Sequence, residues 1–140
     1  MSASINWLPI VSAAALAMDS TGDKATLTIP YKCKVMRVFA LVEGTSSHAT
    51  TGVVKFDKRP TAGSDTSRGD GDVGAISKSA SNQQGKYLYE DPSSEILLDE
   101  GDQVIVDVTT ANGNACAFTA GMLVERVPET PANNTAMVSA

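Results

Sequence analysis

Three aspartates separated by glycines, Asp65, Asp70 and Asp72, are the side chains in this sequence best suited to bind a metal ion. Carboxylate oxygens are the ligands that Ca²⁺ prefers. The spacing does not complete an EF-hand, because the twelfth position counted from Asp65 is Ile76 and counted from Asp70 is Ser81, where a bidentate glutamate is required. We therefore expect a solvated loop without a metal ion, and calcium binding is the alternative.

The same segment contains Arg68-Gly69-Asp70, the tripeptide that integrin-type receptors bind. It lies in a polar stretch from Asp57 to Gly74, and loops of this length inside a compact domain are usually functional or mobile. Exposed polar loops favour all three residue types, so the tripeptide alone does not indicate a receptor site.

The sequence has no recognisable catalytic constellation. His48 is the single histidine and lies in a polar turn, where we expect it to be solvated. No G-x-S-x-G elbow, P-loop or H-E-x-x-H motif occurs. Asp99, Glu100 and Asp102 are acidic neighbours, but they flank a turn ahead of a strand, where solvated Asp and Gly are common. We therefore expect a protein that is not an enzyme and has no cofactor.

Length and charge restrict the class of partner. The 140 residues suffice for one domain with its own core. The formal net charge is −5, and the basic residues are scattered along the chain. Nucleic-acid binders usually concentrate Lys and Arg on one face, so we expect no nucleic-acid partner. No apolar run approaches the roughly 18 residues of a transmembrane helix, and we expect no membrane partner.

Cys33 and Cys116 fall inside predicted strands and are expected to be buried, inert thiols, with a disulfide as the alternative. Free thiols favour an intracellular site of assembly. Ala15-Leu16-Ala17 has the A-x-A pattern of a signal-peptidase site. The segment before it has no Lys or Arg and contains Pro9, which argues against a secretory signal.

Apolar periodicity and turn residues predict strands throughout the chain. Ala25 to Ile29 and Gln103 to Val108 alternate with a period of two, and Asn112-Gly113 predicts a hairpin turn. The pattern predicts an all-β fold of about nine or ten strands with flexible termini, at the spacing typical of a β-sandwich or a barrel. We expect an N-terminal arm over 1–12, the sandwich over 13–127 and an unstructured tail over 128–140.

The stretch from Val35 to Val42 is apolar except for Arg37. It predicts a strand covered on both faces, either by a second sheet or by a neighbouring subunit. The candidate subunit-interface residues on this strand and on the last one are Met36, Val38, Phe118 and Met122.

Two regions resemble known jelly rolls. Ile96 to Val104 (ILLDEGDQV), then a valine-alternating strand, an Asn-Gly hairpin and Ala117 to Val124 (AFTAGMLV), is similar to the closing strands of tumour-necrosis-factor and complement globular domains. Ile29 to Val38 (IPYKCKVMRV) resembles an early strand of the small jelly-roll proteins that decorate or cement capsids of tailed bacteriophages. The resemblance extends over about Leu27 to Glu125 and consists of strand residues and turns. It implies a jelly-roll-like antiparallel β-sandwich of about 8–10 strands.

The resemblance to capsid decoration (cement) proteins implies a virion structural protein on the outer capsid surface, assembled in the host cytoplasm. Its partner would be the major capsid protein, bound non-covalently by a homotrimer. Complement-type domains are richer in aromatic residues than the 5% here, which favours the virion interpretation. The candidate capsid-binding residues are Ile5, Trp7, Leu8 and Ile10. Trp is enriched at interfaces, but Trp7 capping the end of this domain's own core is the interpretation slightly favoured.

The alternative is a receptor- or glycan-binding head domain of a viral fibre, which uses the same fold with sites in its loops. The length of the stretch from Asp57 to Gly74 supports this alternative. The stretch contains no aromatic side chain on which a sugar could stack, and Phe56 lies just before it.

Overall fold

The computed structural model describes residues 6–13, 15–43, 51–60, 67–78, 87–113 and 116–128. The strands are β1 (Leu8–Val11), β2 (Leu16–Ala17), β3 (Gly22–Thr28), β4 (Cys33–Glu43), β5 (Gly52–Arg59), β6 (Gly74–Lys78), β7 (Tyr87–Glu90), β8 (Leu97–Leu98), β9 (Gln103–Thr110) and β10 (Ala117–Arg126). These ranges contain no helix, so the predicted all-β class is confirmed. In the same ranges there is no helix long and apolar enough to cross a membrane.

The strands form two antiparallel sheets. Sheet A has the order β1-β10-β4-β7, with β2 also pairing β10 and β8 also pairing β4. Sheet B has the order β3-β9-β5-β6. The chain changes sheet at most of its connections, so that β10 pairs β4 and β9 pairs β3 and β5. This arrangement is the predicted jelly-roll form of the β-sandwich.

The core lies between the sheets and follows the period-two alternation that the sequence displays. Alternate side chains of the central pair β10 and β4 point into it and are buried: Val38, Ala40, Val42, Phe118, Ala120 and Met122. Sheet B supplies the buried side chains of Val54, Phe56, Val104, Val106 and Val108. Because both strands of each pair bury the same face, a shift by one residue would expose this whole set.

Strand β1 corrects the predicted boundary of the N-terminal arm. Leu8 to Val11 pair antiparallel with Val124 to Gly121, and the Ser12 amide donates to the Ala120 carbonyl at 2.8 Å. The second half of the region expected as an arm (1–12) is thus the edge strand of sheet A. Its four residues show no clear alternation of apolar and polar types. Main-chain hydrogen bonds can hold an edge strand without such alternation, so the sequence pattern did not predict it.

The stretch from Asp57 to Gly74 is not one continuous loop. Strand β5 extends to Arg59, so the first three residues predicted as loop pair with β9. Asp57 is buried (1% exposed). Asp102, expected to be solvated, is also buried, and its Oδ2 accepts a hydrogen bond from the Asp99 amide at 2.9 Å. A carboxylate that caps its own turn can be buried because the turn satisfies it.

Candidate functional site

The outer face of sheet A carries exposed apolar side chains on β4 and β7. We call the set Phe39, Leu41, Tyr87 and Tyr89 the aromatic face. Leu41 is 39% exposed, Tyr87 45% and Tyr89 53%. An antiparallel sheet with one solvated face usually presents polar side chains there. A group of large apolar side chains in that position is typical of a surface that another molecule covers.

Strand register brings the rings of the aromatic face into contact. Phe39 stands opposite Tyr89, and Leu41 stands opposite Tyr87. The ring centroids are 5.6 Å apart for Phe39 and Tyr87 and 5.5 Å apart for Tyr87 and Tyr89, within the usual range for aromatic pairs. Since the rings restrict one another, a partner that covers them has less side-chain freedom left to immobilise.

Arg37 adds a paired charge at the border of this face. Its Nε donates to Asp91 Oδ1 at 2.6 Å and its Nη2 donates to Asp91 Oδ2 at 3.1 Å. Its guanidinium carbon lies 3.8 Å from the Tyr89 ring centroid and 5.6 Å from that of Trp7. The hydrogen bond from Arg37 lowers the pKa of Asp91, and the same bond raises the pKa of Arg37. The two charges therefore neutralise each other within the subunit.

The outer face of sheet B differs, because it is charged and segment 67–73 lies against it. Arg68 donates from both Nη atoms to Asp23, at 2.8 and 2.7 Å. Its Nε donates to Asp57 at 3.1 Å and its Nη2 to Asp107 at 3.1 Å. The Gly71 amide donates to Asp57 Oδ1 at 2.6 Å. One guanidinium thus attaches the segment to three strands of sheet B.

The carboxylates around Arg68 differ in their pKa shifts. The hydrogen bond from Arg68 lowers the pKa of Asp23. Burial raises the pKa of Asp107, and the charge of Asp23 raises it further. Asp23 is 53% exposed and Asp107 18%, so the more buried carboxylate loses more hydration.

The aspartates proposed for calcium do not form a site in the described part of the chain. Asp70 Oδ2 accepts a hydrogen bond from Lys55 Nζ at 2.9 Å, and Asp65 lies outside the described residues. No group of three His, Cys, Asp or Glu side chains that could hold a metal ion occurs in the described ranges. His48 also lies outside them. In the tripeptide, Arg68 is held by ion pairs with Asp23, Asp57 and Asp107, whereas Asp70 pairs with Lys55 and its side chain is 73% exposed.

The four candidate capsid-binding residues have different positions. Ile5 lies outside the described residues. Trp7 is half-buried and its ring lies near Arg37, and Leu8 is 36% exposed. Ile10 is partly buried and packs against the core. Trp7 and Leu8 are therefore the described members of this set that a partner can reach.

Three of the four candidate subunit-interface residues are core residues, which corrects that interpretation. Val38, Phe118 and Met122 are each 0% exposed within one chain. Their neighbours on the same strands point the other way, so the outward set of β4 includes Phe39 and Leu41 instead. Met36 is half-buried and lines a cavity of about 280 Å³ together with Pro92 and Glu95.

Both cysteines are buried and free, as predicted. Burial raises the pKa of Cys33 to about 11 and also raises the pKa of Cys116. The thiolate, which is the reactive form, is therefore scarce at neutral pH.

No family model and no curated protein matches this sequence. Among solved structures, the chain is similar to "Structure of Eiger TNF from S. frugiperda", with a TM-score of 0.46 and 12% sequence identity. The match covers 76% of this chain and 68% of that one. The jelly-roll assignment above rests on the strand order of the two sheets.

The sequence interpretation missed the tyrosines of β7 and the pairing of Arg37 with Asp91. A signal was present, because Tyr87 and Tyr89 have the i, i+2 spacing that puts two side chains on one face of a strand. Their partner Phe39 lies inside a stretch that was already interpreted as covered on both faces. The sequence did not indicate that β7 pairs with β4, since strand pairing is not read from spacing.

Proposed function

We propose that this chain is a virion structural protein that decorates the outer surface of a bacteriophage capsid as a homotrimer. The observation that carries the proposal is the aromatic face, an apolar sheet surface whose rings are already ordered by one another. Its role is to join copies of the chain. Trp7, whose ring lies near Arg37 at the border of this face, contacts the major capsid protein together with Leu8 of β1. Both contacts are non-covalent.

The physical properties of the two outer faces support this division of roles. Covering the aromatic face removes apolar area from water, at about 25 cal/mol per Å². Arg37 and Asp91 already form a bidentate pair, so a neighbour does not leave either charge unpaired when it covers them. Three linked copies bind a symmetric site on a shell with greater avidity than one copy, so each contact can be weak.

The first test is the mass in solution by light scattering, for the natural chain and two variants. Leu41→Lys places a charge in the aromatic face, whereas Thr26→Lys places one on the exposed face of β3 in sheet B. We expect a trimer for the natural chain and for T26K, and a folded monomer for L41K. A natural chain that stays monomeric at high concentration contradicts the homotrimer.

The second test addresses the capsid. Purified protein is mixed with capsids assembled from the major capsid protein encoded in the same genome, and the capsids are pelleted. We expect saturable co-sedimentation that Trp7→Ala weakens at least tenfold, with the trimer unchanged. Protein that remains in the supernatant at saturating concentration contradicts the decoration role.

A glycan-binding head domain is the second candidate, and one observation favours it. Tyr87 and Tyr89 are about half exposed, and with Ser77 and Glu90 they line a cavity of about 410 Å³ between β6 and β7. Exposed rings beside polar groups suit a sugar, which offers apolar C–H faces and hydroxyls. Binding on a glycan array that Tyr89→Ala abolishes would favour this candidate over capsid decoration.

A further inference from the structure

We propose that strand β1 is exchanged between copies of this chain, so that β1 of one subunit completes sheet A of the next by pairing with its β10. This inference rests on the proposed homotrimer, because exchange requires copies in contact. It concerns how the copies are joined, which the aromatic face alone does not determine.

Strand β1 is held mainly by its main-chain pairing with β10. Leu8 is 36% exposed and Val11 48%, and Pro9 is exposed as well. Ile10 is the residue of this strand that packs against the core. Few apolar contacts therefore oppose the departure of β1 from its own sheet, and short edge segments of this kind open at low cost.

The two ends of the connection after β1, Ser12 and Leu16, lie closer together than its length requires. Ser12 is bonded to Ala120, and Leu16 stands opposite Phe118. The chain advances by four residues from Ser12 to Leu16, whereas the paired strand β10 advances by only two, from Ala120 to Phe118. At about 3.3 Å per step, an extended connection would reach about 13 Å, against roughly 7 Å for two steps on β10. This extra length of chain is available if β1 pairs with β10 of a neighbouring subunit.

Ala15 lies in this connection with a φ of 62°, and it is the described non-glycine residue with a positive φ. L-residues avoid this region because Cβ approaches the carbonyl oxygen that follows. Straightening the connection removes the strain. A strained short connection next to an edge strand is the arrangement that favours exchange between identical chains.

The edge of β10 is shaped to receive β1. A Cβ on Gly121 would lie 2.7 Å from the Ile10 carbonyl oxygen, so glycine permits the close approach of this strand. The Ala120 amide donates to Ser12 Oγ at 3.1 Å. These contacts are the same whether β1 belongs to the same chain or to a neighbour, because β1 is an edge strand. Exchange therefore keeps the contacts and releases the strain.

Pro9 limits the exchange to one strand per sheet. Pro9 has no amide hydrogen. The hydrogen bond from the Ser12 amide to the Ala120 carbonyl indicates that the main-chain N–H and C=O groups of the even-numbered residues of β1 point towards β10. Pro9 therefore faces the open edge, where it blocks the addition of a further strand. A cyclic exchange among copies closes without a growing stack.

The test is a disulfide between β1 and β10. Pro9 and Leu123 are paired residues whose main chains point away from each other, the type of pair in which Cα atoms lie about 4.5 Å apart. The variant with Pro9→Cys and Leu123→Cys is oxidised as the native oligomer and then denatured without reductant. We expect covalent multiples of 14.5 kDa up to the trimer.

The matched control joins β5 to β6 through Val53→Cys and Ser77→Cys, a pair of the same type inside one hairpin. It should give monomers of 14.5 kDa under the same conditions. If the oxidised P9C/L123C variant also gives monomers, the proposed exchange is wrong, and the proposed homotrimer is unaffected. A natural chain that is monomeric by light scattering overturns both. Covalent multiples from the control as well would show random collision and would also overturn the exchange.

Discussion

The Phe39 ring lies over Gly121, so closely that a Cβ on this glycine would be 2.8 Å from Phe39 Cζ. The two residues are partners in the register of β4 and β10. The glycine thus lets an aromatic side chain lie across the neighbouring strand, and on its other side the same glycine lets β1 approach.

Gly121→Ala should destabilise the fold by about 1–3 kcal/mol, because the added methyl group overlaps the Phe39 ring and the main chain of β1. Urea unfolding monitored by circular dichroism measures the change. Thr119→Ala, two residues away on the same face of β10, is the control and should cost clearly less. Equal free energies of unfolding for natural chain and G121A would mean that β1 and the ring move without cost.

Two aspartates that share Arg68 should respond in opposite directions when neutralised. The pKa of Asp23 is lowered in the folded state, so its charge stabilises the fold above the unfolded pKa of about 3.9. The pKa of Asp107 is raised, so its charge opposes folding at neutral pH. At pH 7, Asp23→Asn should lower the free energy of unfolding and Asp107→Asn should raise it.

The pH dependence checks this assignment. Below about pH 3 both carboxyl groups are protonated in the unfolded chain, and the differences between each variant and the natural chain should shrink. The comparison uses denaturant unfolding at both pH values. A loss of stability in D107N as large as that in D23N at pH 7 would mean that the hydrogen bond from Arg68 outweighs burial at Asp107.

In a subunit whose β1 pairs with its own β10, as expected for the monomeric L41K variant, Ala15→Gly should stabilise the fold by about 0.5 kcal/mol. Glycine removes a left-handed strain of about 1–2 kcal/mol, and the larger freedom of glycine in the unfolded chain offsets part of the gain. Ala17→Gly in the regular strand β2 is the matched control and should lose about 0.5–1 kcal/mol. Thermal unfolding of the monomeric L41K variant should therefore rank the addition of A15G above L41K alone and the addition of A17G below it.

The two thiols should be protected in the folded protein. Cys33 is 0% exposed and Cys116 5%, and both have raised pKa values. A thiol-alkylating reagent at pH 8 should label neither residue in the native protein and both in urea. Rapid native labelling of Cys33 would indicate that β4 opens at its first residue.

The sandwich could be predicted from the sequence because its core repeats a local rule. Val104, Val106 and Val108 alternate on β9, and all three are buried. Strand β1 could not be predicted, because its place depends on an exposed edge of β10 that is over a hundred residues away in the sequence. Long-range pairing of this kind cannot be recognised from the local periodicity of the sequence.

The candidate surface was predicted in part. The stretch from Val35 to Val42 has apolar residues on both faces, but three of the predicted interface residues, Val38, Phe118 and Met122, lie on the inner face. Deciding which face is inner requires the second sheet, and Phe56 of sheet B is one of the residues that occupy that side. The role of Arg68 could not be predicted from the sequence either, because its three carboxylate partners lie on β3, β5 and β9, which are far apart in the chain.

The first and last strands of the chain are neighbours, with Leu8 opposite Val124. In one subunit the two ends of the sandwich therefore emerge at the same corner. A short flexible linker between them would produce a circularly permuted chain, with new ends opened in an exposed connection such as Ser93-Ser94. Cargo joined directly before Leu8 or directly after Arg126 would be attached at that corner. With β1 exchanged, the corner would belong to two chains, and joining the ends would instead connect neighbouring subunits.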